Sequence, residues 1–136
     1  MTLNLSGVRT GMKTMLATVD GLNLYDYEAQ HPQLPAAVVR LPQDINVLLV
    51  FGATHWNYLI DVTLFVGLSD DVNADNALEA LLAEDGTNTT SAIVALKTDQ
   101  TLGGACQTSV VTGIGNFGLL LDGTAIGCNI TLQVMT

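Results

Sequence analysis

The longest patterned stretch of the chain is HWNYLIDVTLFVG, residues 55–67. Trp56, Tyr58, Ile60, Val62, Leu64 and Val66 fall on one side of it, and His55, Asn57, Leu59, Asp61, Thr63 and Phe65 on the other, which is the period of two of a strand. The pattern predicts a long antiparallel strand whose second face is itself partly apolar. The same period returns in AIGCNITLQVM, where Ile126, Cys128, Ile130, Leu132 and Val134 share a side. Asp122-Gly123 ahead of it is a hairpin signal, with SVVTGIGNF as the neighbouring strand. Upstream, LNLYDY and AAVVRL read as short strands separated by a loop punctuated by Pro32 and Pro35. Pro42 ends the second of them, INVLLVFG resumes the sheet, and Gly52-Ala53-Thr54 is the expected turn into the long strand.

Helical spacing appears in three places. Val8, Met12, Met15, Leu16 and Val19 recur at the interval of one helix face, with Ser6 as the expected cap and Asp20-Gly21 as the stop. From Asn73 to Glu84 the stripe is Ala74, Ala77, Leu78, Leu81 and Leu82. SAIVALKTD is a shorter helix, followed by a loop, QTLGGACQ, that reads as flexible. These elements predict an α+β fold: an antiparallel or mixed β-sheet with helices packed on one face, in a single domain spanning 1–136.

Charge narrows the functional classes. Thirteen acidic against four basic residues give a formal charge of −9, the opposite of a surface that neutralises phosphates. The basic residues, Arg9, Lys13, Arg40 and Lys97, form no run. An acidic wall can still let DNA slide past without sticking. The chain lacks an apolar run of membrane-spanning length and opens without a leader pattern, so the expectation is an unexported protein with no membrane partner. In that setting the N-x-S/T triplets at Asn4, Asn88 and Asn129 carry little meaning. Cys106 and Cys128 could pair, but two cysteines in such a chain read more readily as reduced thiols.

Gly113, Gly115 and Gly118 spell G-x-G-x-x-G, but more sheet follows where a dinucleotide site needs a helix and, about 20 residues on, an acid. The reading preferred for these glycines is a bulged or twisted strand, or close backbone contact. Asp71, Asn73 and Asp75 alternate as in a calcium loop, yet Asn76 stands where that loop needs glycine and Leu82 where it needs glutamate. Acidic capping of a helix start explains them better. His55 and Asp61 share a strand face about 20 Å apart, too far for a dyad. His31 has no ligand-like spacing to a cysteine. Ser91, Ser109 and Cys106 have no base nearby in sequence. No catalytic, cofactor-binding or metal residue is therefore assigned, no cofactor is expected, and the chain is read as a non-enzyme.

The order of segments carries a resemblance. The first helix leading to LYDY, the PAAVVRLP segment, FGATHWNYLIDVTLFVG, the helix ending ALEALLA, and the terminal GCNITLQV together resemble the tail terminator, or tail-completion, proteins of long-tailed phages, relatives in fold of the phage lambda tail terminator. The most specific piece is Ala95-Leu96-Lys97-Thr98-Asp99-Gln100-Thr101-Leu102-Gly103-Gly104, followed by Val111-Thr112-Gly113. The resemblance implies a virion protein that forms a homo-oligomeric ring, usually of six, on the head-proximal end of the tail tube. Such a ring ends tube polymerisation, offers its other face to a head-tail connector or neck protein, meets DNA only as passing cargo, and assembles in the host cytoplasm. Six copies at −9 each would carry −54, so some of Asp70, Asp71, Asp75, Glu84 and Asp85 are expected on exposed ring surfaces or an acidic lumen. The alternatives are a tail-tube subunit or connector, and, from another class, a small soluble enzyme or adapter of the infected cell.

Overall fold

A computed structural model describes residues 3–25, 35–42, 44–50, 53–68, 74–120 and 125–136. In chain order the elements are α1 (Leu5–Leu16), β1 (Asn23–Tyr25), β2 (Ala36–Val39), β3 (Ile45–Val50), β4 (Ala53–Leu68), α2 (Ala74–Leu81), α3 (Ala92–Leu96), β5 (Thr108–Leu120) and β6 (Ala125–Met135). Among the described residues they form one sheet in the order β1-β2-β4-β6-β5, with β3 paired to β4. The β1–β2 pair is parallel and the others are antiparallel. The fold is α+β with a mixed sheet.

β4 is the spine because its alternation serves two neighbours at once. One edge pairs with β6 along most of its length. The other pairs with β3 over residues 53–58 and with β2 over residues 62–65. Tyr58, Ile60, Val62, Leu64 and Val66 turn to the inner face, where Cys128, Ile130, Leu132 and Val134 of β6 join them in the core. Helices close that face: Val8, Met12, Met15 and Leu16 of α1, Leu78 and Leu81 of α2, and Ala92, Ile93, Ala95 and Leu96 of α3 are buried in the same cluster. Each fully buried Leu or Ile side chain contributes about 1.5–3 kcal/mol.

Several boundaries differ from the sequence expectation. Asn4, not Ser6, caps α1, its side-chain oxygen accepting from Gly7 N at 3.0 Å. Ser6 lies inside the first turn. The helix stops at Leu16 rather than Asp20, because Thr18 turns its N–H and hydroxyl back onto Met15 O, at 3.2 and 2.7 Å. Val19 is nevertheless buried, and Gly21 adopts φ +76°. α2 ends at Leu81, where Leu82 N is shared between Leu78 O and Glu79 O. Ala77 faces solvent and Leu82 is half-buried, so the stripe is narrower than its spacing suggests. Asn73 lies outside the described residues. Ser91 caps α3 by accepting from Val94 N.

Ala53 and Thr54, expected in a turn, are already strand residues paired with Val50 and Leu49. The connection between β3 and β4 therefore reduces to Phe51 and Gly52, which lie outside the described residues, as do Pro32 and the Asp122-Gly123 turn. Leu120 faces Ala125, so β5 and β6 do pair as a hairpin.

The loop read as flexible is tied down. Asp99 accepts from Thr101 N (3.0 Å), Thr101 Oγ1 (2.7 Å) and Gly103 N (2.9 Å), which holds its carboxyl below the usual carboxylate range. Leu102 is buried at φ +53°, and Gly103 and Gly104 follow at +72° and +88°. Left-handed backbone is unusual for leucine. Here it drives the side chain into the core while its carbonyl lies over α1. A Cβ on Gly11 would sit 2.5 Å from Leu102 O, so only glycine permits that approach.

Candidate functional site: the uncovered sheet face and its edges

The outer face of the sheet divides in two. Ala36, Val38 and Phe65 are buried there as a small second cluster with Tyr25 packed against it. The rest carries none of the three helices and is a mixed surface. Register places Leu59, Gln133 and Val110 in one row across β4, β6 and β5. Leu59 and Val110 are 53% and 50% exposed. The next row holds Asn57, Met135 and Thr108, and the row on the other side Asp61, Thr131 and Gly113.

Polar groups on this face largely satisfy one another. Thr131 donates to Asp61 at 2.8 Å, Gln133 Nε2 donates to Asn57 Oδ1 at 3.1 Å, and Arg40 Nε donates to Thr63 Oγ1 at 2.8 Å. His55 Nδ1 lies 2.8 Å from the main-chain oxygen of Thr136, so that nitrogen carries the proton. Of these two β4 residues, His55 thus bonds Thr136 and Asp61 bonds Thr131.

Where β2 hands over to β3 the sheet opens. Val39 faces Val62 and Ile45 faces Tyr58, which leaves the segment from Leu41 to Asp44 opposite Leu59 and Ile60. The ladder on this edge of β4 is interrupted there. Behind it is a notch of about 1110 Å3 whose lining includes Arg9, Arg40, Asp44, Asp61 and Tyr58. Arg9 reaches it from α1 and donates to Val39 O at 3.2 Å. Tyr58 is almost fully buried, its hydroxyl oxygen has no hydrogen-bond partner among the described residues, and burial, with a smaller push from Cys106, raises its pKa to about 12.

The other residues singled out from sequence are spread through the molecule. Gly113, Gly115 and Gly118 lie in β5, where register shifts fall between Val111 and Gly113 and between Gly115 and Gly118. The bulged-strand reading holds. Close contact does not explain Gly113 or Gly115, since a Cβ on either would meet nothing within 4 Å. Ser91 donates to Leu81 O and Ser109 to Gln100 O, so among the described residues neither hydroxyl bonds a histidine. Cys106 and Cys128 are free, buried thiols, each pushed up to about 11 by burial, with the Asp99 charge adding to the effect at Cys106. Glu84 and Asp85 are exposed; Lys97 bonds Glu84 at 2.9 Å and holds its carboxyl below the usual range. Asp70, Asp71 and Asn73 lie outside the described residues, and Asn76 is exposed on α2. No three His, Cys, Asp or Glu side chains converge on a metal-sized site among the described residues.

Sequence reasoning missed the notch and the Asp99 turn. Pro42 signalled an end to β2 but not a return to the same edge of β4. The run Thr101-Leu102-Gly103-Gly104 was a sufficient signal for positive φ. It gave no hint that α1 lies underneath.

No protein-family model matches the chain, and no curated protein matches it.

Proposed function

We propose that this chain is a structural ring subunit of a phage tail, of the terminator type, which sits at the head-proximal end of the tail tube, ends its polymerisation and presents a surface for head-tail joining. The observation that carries the reading is the division of the sheet: one face is closed by three helices, while much of the other exposes Leu59, Val110 and Met135 among amide, hydroxyl and carboxylate side chains. A broad surface of mixed polarity suits contact with another protein. The balance of −9 supports a subunit whose carboxylates face water or a DNA passage, and Glu84 and Asp85 are placed for such exposure. The resemblance of the Asp99 segment to terminator chains supplies the position in the tail.

The test is the mass of the purified protein across a concentration series, with electron microscopy after mixing with tail tubes. Rings, or monomers that cap one end of each tube, are the expected outcomes. Indefinite self-stacking would make the chain a tube subunit, and a monomer that ignores tubes would overturn the reading.

A further inference from the structure

The described sheet ends on β5 at one side and, at the other, on the short strand β1 and on β3. Among the described residues β5 pairs only with β6 and β3 only with β4, so each presents an open ladder on its far side. Open edges are commonly blunted by lysine, proline, inward-pointing charge or bulges. Apart from the two bulges of β5, neither edge has any of these: TSVVTGIGNFGLL, residues 108–120, and INVLLV, residues 45–50, contain no charged residue and no proline. Both instead expose apolar side chains, Phe117 at 61% and Ile114 at 38% on β5, and Val47 at 48% on β3.

Two further observations point to a second copy as the occupant. Copies of a chain at −9 repel one another, so they associate best through their uncharged surfaces, and both edge strands are uncharged. Gly113 and Gly115 stand beside the bulges of β5, yet neither has positive φ and a Cβ on either meets nothing, so packing among the described residues does not itself require glycine there. They leave room on the sheet face for the larger side chains of a strand laid beside β5.

Resting on the ring reading, we infer that β5 of one copy pairs with β3 of the next, continuing the sheet across the subunit boundary. The contact is heterologous, joining two different edges, and such contacts close into a ring when the rotation between copies allows. The bulges at Thr112 and at Asn116-Phe117 bend and twist β5. They disfavour flat pairing with arbitrary strands and turn each successive copy relative to the last. Main-chain hydrogen bonds supply affinity, as in other strand additions.

The test uses Val47→Lys and Phe117→Lys, both at exposed positions, in sedimentation experiments on the full chain. Each variant alone is expected to pair about tenfold more weakly or worse than the parent, because a lysine must be buried at the junction. An equimolar mixture is expected to form two-subunit complexes and nothing larger, since the intact β5 of one variant meets the intact β3 of the other. Gly113→Ala is expected to leave the melting temperature unchanged or higher while weakening association.

Parent-like assembly of either lysine variant, a mixture that stays monomeric, a parent chain that never self-associates up to about 1 mM, or Gly113→Ala with unaltered association would each overturn the pairing. Rings that persist in both lysine variants would refute the pairing and leave the ring reading standing. Open-ended filaments of the parent with dimers in the mixture would do the reverse.

Discussion

The two faces of the sheet are made of the same strands, and successive residues of β4 belong to opposite worlds. Ile60, Val62 and Leu64 are fully buried under helices, whereas Leu59, which lines the notch, is 53% exposed. Hydrophobicity alone does not distinguish Leu59 from Leu64. What distinguishes them is whether another element arrives to cover the site. On the inner face, α1, α2 and α3 bring complementary side chains. On the outer face, among the described residues, Ala36, Val38 and Phe65 form a small buried cluster with Tyr25 packed against it, and Thr63 is buried beside them. The lesson is that stability resides on one side of this molecule and availability for contact on the other.

That contrast can be broken most forcefully from the inside. Leu64→Ala is expected to cost about 2–5 kcal/mol, read by denaturant unfolding, because it opens a cavity between β4 and the helices. Alkaline titration comes next. Cys106 and Cys128, with pKa raised from 9.0 to about 11, and Tyr58, raised from 10.0 to about 12, stay protonated in the fold while the unfolded chain releases those protons. Stability contributed by these groups is therefore full below pH 9, falls through the 9–12 window, and is lost above it, on the order of 2 kcal/mol for each group. A pH series of melting curves measures it, and Cys128→Ser should remove part of the slope.

Gly11→Ala is expected to cost about 1–3 kcal/mol by forcing α1 away from the Leu102 carbonyl. The smallest effect belongs to the outer face: Leu59→Thr should change stability by no more than about 0.5 kcal/mol. A loss near that of Leu64→Ala would mean that the outer face is covered in the folded monomer. If Leu59→Thr instead preserves the melting temperature but weakens tube capping, the separation of roles becomes sharper.

The parts legible in sequence are those where burial is periodic and one-sided. β4, β6 and the α1 stripe could be read because each turns one face to the same core, and the 2.0 and 3.6 periods record that directly. Position along the chain was less legible wherever two residues could do the same job. Asn4 and Ser6 are both good caps, and the choice falls to Asn4, whose side chain holds Gly7 N beside the point where Ala105 comes close. The parallel β1–β2 pair, the notch and the burial of Phe65 were invisible because each depends on segments brought together from elsewhere in the chain. In the candidate site, the odd positions of β4 from His55 to Phe65 do form a partly apolar second face, of which Leu59 is exposed and Thr63 and Phe65 are buried. Which of them would be covered was a tertiary question.

The central pairing of β4 with β6 joins residues as far apart in sequence as Val62 and Ile130. During synthesis, β4 can therefore meet β2 and β3 soon after it emerges, but one of its edges waits until β6 has left the ribosome. Pairing at such separation forms slowly, because the long loop must close before any contact rewards it. For that interval the nascent chain presents a strand of 16 residues with a bare ladder. Its yield in the cell should depend on how quickly translation finishes and on what shields that strand meanwhile.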